Sequence, residues 1–508
     1  MTATRTATAR AGFLATLHAE WTKFRTVRGW VLAMAGALLA TIVVGLLGTA
    51  APAPAGRGSD SASYPRGPGG EAVNDSFSFV HRTLTGDGSL TVELRSLTGV
   101  ADTGTGKTAR GAQPWAKAGI IVKESLAQGS PYAALMATGG HGLRMQYDYT
   151  HDTAGPRVRQ GWLRLVRSGD VLTGYASADG SRWTRVGRAK LPGLARTVRA
   201  GLFTTSPQAK QDTGAGAGFS PAVATGTFGP PVLTGGWSPR PWRGTQVGGD
   251  AGTSGSYTNT LKGGFTPGDG GGFAVTGAGD IAPVVGGPAM GASFAVENFL
   301  VGTFAGLIVV IAVGTVFITG EYRSGLLRTT MTATPVRGRV LGAKALAAGG
   351  VAGAVGLVAA AVAVPVGERG ARGRGFLVLP VTSATEARVI AGTGLLCAAA
   401  AVLALGVGAL LRRSGTAVAL VVASLVLPFL LATSGVLPPG LSEWLLRVTP
   451  AAGFAVQQTL PRYAQVLSVY EPSTGYFPLA PWAGFAVLCG YAALALGLAA
   501  VRVRGRDV

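Results

Sequence analysis

The chain has 508 residues, of which 47% are hydrophobic and only 13% are charged, and its formal net charge is +21. Long apolar stretches near both ends raise the mean hydropathy to +0.36, which is typical of a membrane protein. Residues 56–295 hold 23 basic and 15 acidic residues, so the other 21 basic and 8 acidic residues belong to the membrane part. Membrane topology therefore explains most of the positive charge better than nucleic-acid binding does.

The N-terminal segment, residues 1–29, predicts an amphipathic helix that lies in the membrane interface. Apolar residues recur at helical spacing after Phe13, and the opposite face is polar and basic. A basic flank that only orients the first span is the simpler alternative. The residues predicted to place the helix at headgroup depth are Trp21, Lys23, Phe24, Arg25 and Arg28.

Six apolar segments are long enough to cross a hydrocarbon core of about 30 Å as helices. The first, residues 30–49, is too long for a usual signal-peptide core, so it predicts a transmembrane helix rather than a cleaved signal. The other five lie within residues 296–508. The six segments are Trp30–Thr49, Phe299–Ile318, Ala343–Val364, Val389–Leu411, Ala417–Leu437 and Ala483–Val501.

The basic residues beside these segments predict their orientation. With a cytoplasmic N-terminus, 15 basic residues face the cytoplasm, and six face the other side outside the large domain. This asymmetry follows the positive-inside rule, although residues 368–374 oppose it with three arginines. Both termini are therefore expected in the cytoplasm.

Between the first two spans the sequence changes to alternating apolar and polar residues. Residues 56–228 predict an antiparallel β-sandwich outside the cytoplasm, with a hairpin turn at Ala178–Ser181. Residues 229–292 are Gly-rich and predict a smaller β-rich subdomain or a return linker. The predicted strands are Trp115–Ser125, Tyr132–Thr138, Leu143–Tyr149, Gln160–Arg167, Val171–Ser177, Trp183–Leu191 and Thr197–Thr205.

Four aromatic residues of this domain form a candidate face for stacking a ligand such as a sugar: Tyr147, Tyr149, Trp162 and Tyr175. Alternating aromatics in strands are more often core residues, so a structural or partner-docking role is the alternative.

The sequence gives little indication of a metal site, a phosphate-binding loop or a hydrolase active site. His141 and His151 lack the spacing of metal ligands, so no metal site is predicted. Residues 101–108 match a relaxed phosphate-loop pattern, but a β-rich stretch follows where a helix is needed. Asp148 and Asp152 are candidate carboxylates for a glycoside hydrolase, which the sequence alone does not pair. No catalytic residue is predicted.

Three segments of the membrane part stand out: Trp21-Thr-Lys-Phe-Arg-Thr, Thr319-Gly-Glu-Tyr-Arg and Pro335-Val-Arg-Gly-Arg-Val-Leu-Gly-Ala-Lys. Together they resemble permeases of the type-2 ABC exporter class, especially actinobacterial ones. Residues 441–467 also resemble the short extracytoplasmic helices of that family. The likeness covers residues 12–50 and 296–508.

The inserted domain resembles concanavalin/laminin-G-like sandwiches over residues 72–228. This likeness rests on the run Trp115–Ser125, the Gly-His-Gly at residues 140–142 and the stretch from Trp162 to Trp183.

These resemblances imply a membrane all-α protein of six transmembrane helices with an inserted extracytoplasmic antiparallel β-sandwich, in a bacterial cell membrane. It would be a non-catalytic exporter subunit paired with a second permease chain, with ATP bound by a separate subunit and no cofactor in this chain. The loop 319–342 would dock on that ATP-binding subunit as a coupling helix. The residues that the resemblance assigns to this contact are Gly320, Glu321, Tyr322, Arg323 and Arg328.

Two alternatives remain open at this point. The arginines of loop 319–342 could serve only to enforce topology. The whole chain could instead be a membrane-anchored extracytoplasmic glycan-binding or sensor protein, in which the β domain is the active part.

Overall fold

The protein divides into a helical unit and a β unit. The structure, a computed structural model, describes residues 12–47, 64–103, 107–158, 160–212, 217–248, 263–285, 293–326, 337–374, 376–466 and 470–504. The helical unit comprises residues 1–57, 286–460 and 470–508. The β unit comprises residues 58–285, together with residues 461–469 from the connection before the last helix.

The helical unit confirms the six predicted apolar helices. Its described α-helices are α1 (Phe13–Thr26), α2 (Arg28–Leu47), α3 (Thr303–Ser324), α4 (Arg337–Gly373), α5 (Ser383–Leu411), α6 (Ser414–Thr433), α7 (Pro439–Val448) and α8 (Pro481–Arg504). Among the described residues, six helices are long and apolar enough to cross a membrane: α2, α3 with the 3-10 turn Val296–Leu300 before it, α4, α5, α6 and α8.

Helix α4 is longer than the sequence indicated. It has 37 residues and continues through most of the segment 368–374 that opposes the charge bias. Glu368 and Arg372, one turn apart, form an ion pair of 2.9 Å there. Between α6 and α8, the expected short helices are α7 and the buried 3-10 segment Pro450–Gln457.

Contacts inside the helical unit show that its long helices alternate in direction. At one end, Ser293–Phe294 before α3 pair in parallel with Leu377–Val378 between α4 and α5. At the same end, Glu297 accepts a hydrogen bond from Thr459, which follows α7. At the other end, the last turn of α3 meets the first turns of α4, through Glu321 and Lys344. This alternation is what six successive crossings of a bilayer require.

The β unit is built from short antiparallel strands and one long one. They are β1 (Val73–Asp75), β2 (Phe77–Asp102), β3 (Thr108–Arg110), β4 (Lys117–Lys123), β5 (Tyr132–Thr138), β6 (Gly142–Tyr147), β7 (His151–Ala154), β8 (Gly161–Ser168), β9 (Val171–Ser177), β10 (Thr184–Lys190), β11 (Thr197–Thr205), β12 (Ala209–Asp212), β13 (Ala217–Ser220), β14 (Ala222–Phe228), β15 (Val232–Trp237), β16 (Arg243–Val247), β17 (Gly264–Pro267), β18 (Phe273–Gly277) and β19 (Ile281–Pro283). In the helical unit, β20 (Ser293–Phe294) pairs with β21 (Leu377–Val378).

The long strand β2 organises the main sheet. Its first part pairs with β11 and β16, and its second part pairs with β8, β14 and β15. The main path through the sheet is β10-β9-β8-β2-β11-β4-β5-β6-β7, and every neighbouring pair is antiparallel. The predicted antiparallel β-rich domain is therefore confirmed as a large sheet.

Strands β4 and β5 lie in the middle of the β unit and are buried along their whole length. One apolar cluster joins β5 to β8 and β9 through Leu135, Leu163 and Leu172. A second cluster, with Ile121 and Ile281, covers the opposite face. Residues on both faces are apolar because both faces are covered, which is why these strands read as near-continuous apolar runs.

Two buried lysines of β4 hold the two ends of the insertion together. Strand β1, where the described chain enters the main sheet region, pairs with β19, which leads out of it. Lys123 Nζ lies 2.7 Å from Asp75 Oδ2 at the end of β1, and Lys117 Nζ lies 2.7 Å from Asp280 Oδ1 just before β19. Gln465, from the connection before α8, donates to the backbone oxygen of Tyr149 at 3.3 Å.

Candidate functional site

A buried cluster of charged side chains joins three elements of the helical unit. Helix α1 places Thr16, Glu20 and Phe24 on one buried face, because residues four apart lie one above the other on a helix. Glu321 comes from the last turn of α3 and Lys344 from the third turn of α4. We call Glu20, Lys23, Glu321 and Lys344 the ion-pair cluster.

The geometry of the ion-pair cluster is tight. Lys344 Nζ lies 2.6 Å from Glu20 Oε2 and 2.7 Å from Glu321 Oε1. Lys23 Nζ also contacts both carboxylates, at 3.0 Å from Glu20 Oε1 and 3.2 Å from Glu321 Oε1. Lys344 is 0% exposed, Glu20 1% and Glu321 7%, whereas the side chain of Lys23 is 39% exposed.

Aromatic rings close the apolar side of the cluster. Lys344 Nζ lies 4.6 Å from the centre of the Phe317 ring, which attracts the ammonium group. Phe317 makes edge contacts with Phe24 and Trp30, at centroid distances of 5.5 and 5.1 Å. The start of α2 and the end of α3 therefore pack together beside the charges.

Two ammonium groups and two carboxylates give the ion-pair cluster no net charge, which is what burial requires. Burial lowers the pKa of Lys23, but its bonds and charge attraction to Glu20 and Glu321 outweigh burial, so its pKa lies above the usual value. Glu321 Oε2 is buried with no hydrogen-bond partner among the described residues. The ion-pair cluster fixes α1 to the two helix ends that flank residues 325–336.

The residues assigned to the coupling contact occupy different environments. Glu321 is committed to the ion-pair cluster, and Tyr322 is half-buried under the guanidinium of Arg412, whose Cζ lies 4.9 Å from the ring centre. Gly320 is partly exposed and Arg323 is exposed. Arg328 lies outside the described residues. On the described surface, Arg323 is the charged side chain of this set that a partner could reach directly.

The residues assigned to the interfacial helix also differ in their exposure to solvent. Phe24 is buried, whereas Trp21, Arg25 and Arg28 are exposed and Lys23 belongs to the ion-pair cluster. Trp21 helps to line an open groove of about 550 Å³ between α1 and α4. The lining residues are Leu14, Leu17, His18, Trp21, Leu346, Ala347 and Gly350.

In the β unit, the four aromatic residues of the candidate stacking face do not share a face. Tyr149 is buried and donates from its hydroxyl to Asp75 Oδ2 at 2.7 Å; burial, followed by the charge of Asp75, raises its pKa. Tyr147 stacks on His151 at a centroid distance of 4.2 Å. Trp162 and Tyr175 are half-buried residues of the adjacent strands β8 and β9.

The remaining candidates have structural partners. His141 stacks on Trp115 at 4.0 Å. Asp148 Oδ1 accepts a hydrogen bond from the backbone of Tyr132, and burial raises the pKa of Asp148. Asp152 accepts from Gln146 and pairs with Arg144. No group of three potential metal-ligating side chains occurs within the described ranges.

The phosphate-loop match has strands on both sides. Asp102, the last residue of β2, pairs with Thr108, the first residue of β3. The described residues on both sides of the match are strands, whereas a working phosphate loop leads into the N-terminus of a helix.

Comparisons with known proteins leave the family open. Neither a protein-family profile nor a curated protein matches the sequence. Among solved structures, the chain is similar to a functionally unknown protein from Saccharomyces cerevisiae, at 17% identity over 34% of this chain and 82% of that one, with a TM-score of 0.21. It is also similar to SCP-B, a member of the Eqolisin family of peptidases, in complex with the tripeptide Ala-Ile-His, at 11% identity over 42% of this chain and all of that one, with a TM-score of 0.25. Such low scores support no inference about this protein.

The sequence did not predict the ion-pair cluster. Lys344 is one of the basic residues that indicate the orientation of the spans, and Glu20 belongs to a polar stretch. Taken separately, neither residue suggests a buried contact. One signal was available: Glu20 is in phase with Phe24, and Lys344 lies in a run of Ala, Leu and Gly, so each charge shares a helix face with core residues.

Proposed function

We propose that this chain is the membrane-spanning permease subunit of an ATP-driven exporter, coupled to a separate ATP-binding subunit. The observation that carries the proposal is the ion-pair cluster. It ties α1 to the end of α3 and the start of α4, and these helix ends flank the loop that resembles a coupling segment. A push on that loop would therefore move α1 and two spans as one body.

Orientation is part of the proposal. The positive-inside rule favours a cytoplasmic position for the termini and for the ion-pair cluster, and an extracytoplasmic position for the β unit. The alternating direction of the long helices is compatible with this arrangement. The transport pathway would be completed by a second permease chain.

Arg323 is the residue that we assign to direct contact with the ATP-binding subunit, because it is exposed just before the loop. Glu321 would act indirectly, by holding the helix ends together. Removing Arg323 should therefore weaken the complex while leaving the fold intact. Neutralising Glu321 should instead loosen α1.

The test is to isolate the affinity-tagged chain from native membranes in mild detergent and to identify its partners by mass spectrometry. We expect an ATP-binding subunit with the natural chain and less of it with Arg323→Ala. Arg413→Ala is the matched control, because Arg413 is also an exposed arginine beside a candidate span, in the α5–α6 connection. If no ATP-binding subunit is recovered under conditions that preserve a known exporter complex, the chain is better explained as a membrane-anchored sensor.

A further inference from the structure

The outer face of strands β8, β9 and β10 combines aromatic rings with arginines. Alternate residues of these strands, such as Leu163 and Leu172, are buried in the core of the β unit. The residues between them point the other way and are half-buried or exposed. We call this side of the three strands the outer face.

Strand register brings the key residues into one row. Arg164 of β8 lies opposite Tyr175 of β9, and Tyr175 lies opposite Arg185 of β10. Trp162 is the next outward residue along β8, and Trp183 immediately precedes β10. Tyr175 thus lies between two arginines, and Trp162 and Trp183 flank this row.

The central arginine is held in place. Arg164 donates from Nε to Thr91 Oγ1 at 3.1 Å, and its Cζ lies 3.9 Å from the centre of the Trp183 ring. Trp162 rests on the turn after β9: a Cβ added at Gly180 would lie 3.0 Å from Trp162 Cε2. Ordered rings and a guanidinium held by contacts on two sides lose little side-chain freedom when they bind a ligand.

The outer face is positively charged. Arg188 and Lys190 of β10 are exposed beside Arg185. The nearby acid on β2, Glu93, is paired with Arg95 at 3.0 Å. The acid of the neighbouring turn, Asp179, accepts hydrogen bonds from two backbone amides and pairs with the side chain of Arg182.

We propose that the outer face binds an anionic polysaccharide. The rings of Trp162, Tyr175 and Trp183 present apolar surfaces against which the C–H faces of sugar rings can pack. Guanidinium groups bind carboxylates and phosphates with paired hydrogen bonds. A nucleic acid could bind the same arginines and aromatic rings. We choose a glycan because the β unit is proposed to lie outside the cytoplasm.

The test measures binding by the full chain in nanodiscs of neutral phosphatidylcholine. Three immobilised probes are compared: polygalacturonate, neutral dextran and single-stranded oligo-thymidine. The variants are Tyr175→Ala and the double substitution Arg185→Ala/Arg188→Ala. The matched control is Arg110→Ala/Arg240→Ala, which removes the same charge from exposed sites outside the outer face.

We expect salt-sensitive binding to polygalacturonate, weakened about tenfold or more in both outer-face variants and unchanged in the control. Equal loss in the control would show a non-specific charge effect and overturn the proposal. Equal binding to dextran, tighter binding to oligo-thymidine, or no binding to polygalacturonate would also overturn it. The assay needs no ATP-binding subunit, so its failure would leave the exporter proposal standing, and failure of the exporter proposal would leave the binding result unchanged.

Discussion

Replacing Lys344 with methionine should release α1 from the helical unit. The substitution keeps an unbranched apolar chain but removes the charge that lies 2.6 Å from Glu20 and 2.7 Å from Glu321. Two buried carboxylates would then share Lys23, whose side chain is 39% exposed. Leaving a buried charge without its partner costs about 3–5 kcal/mol. Losing a partly exposed partner costs about 1 kcal/mol or less, so Lys23→Met is the matched control.

The assay is hydrogen exchange of α1 amides in the full chain, read by mass spectrometry, because exchange reports the free energy of local opening. A loss of about 3–5 kcal/mol corresponds to exchange about 150- to 5,000-fold faster in Lys344→Met. Adding Glu20→Gln and Glu321→Gln to that variant should restore most of the protection, because the one charge that remains in the cluster, on Lys23, is partly exposed to solvent. Exchange in Lys344→Met within about fivefold of the natural chain, or no recovery in the triple variant, would show that the ion-pair cluster does not hold α1 in place.

Three further predictions concern single elements. Lys123→Met should destabilise the β unit by about 3–5 kcal/mol, measured by urea unfolding, because it leaves Asp75 buried without its cation. A change below about 1 kcal/mol would contradict the role of Lys123 in holding the ends of the insertion together. Gly302→Ala should lower the thermal stability of the helical unit, because the new Cβ would lie 2.1 Å from a backbone oxygen of α2. The control is Gly320→Ala, which should be neutral or slightly stabilising because there is open space around its Cβ. Burial, followed by the charges of Arg199 and Arg243, lowers the pKa of His81 to about 4. The unfolded chain therefore takes up a proton first as the pH falls from about 6.5 to 4. The protection factor of the β2 amides, which divides out the pH dependence of intrinsic exchange, should fall over that range, and less so in His81→Gln.

Much of the fold could be read from periodicity. The bounds of β5, β9 and β11 coincide with the predicted strands, because their apolar residues are bounded by Gly, Ser or Asp. The long apolar helices could be predicted because each is an apolar segment long enough to cross a bilayer. Strand β2 was missed because Gly86, Asp87 and Gly88 break its pattern in the middle like a turn. Gly86 does adopt a positive φ of 72°, but the strand continues beyond it and changes partners.

The candidate stacking residues were harder to place, because one turn decides which face a side chain occupies. The predicted strand Leu143–Tyr149 would put Tyr147 and Tyr149 on one face. The strand ends at Tyr147, and Asp148 and Tyr149 form a turn with φ values of 43° and 60°. Tyr149 is therefore directed into the core. Partners distant in sequence, such as Glu20 and Lys344, depend on helix packing that no local pattern encodes.

Photo-cross-linking from position 323 tests whether this chain contacts an ATP-binding subunit. A photoreactive amino acid would replace Arg323 in the full chain, in native membranes, with position 413 as the comparison site. We expect a cross-link from position 323 to an ATP-binding chain, stronger than any from position 413. Cross-links only to lipid or to other parts of this chain, in membranes where a known exporter gives the expected cross-link, would contradict it.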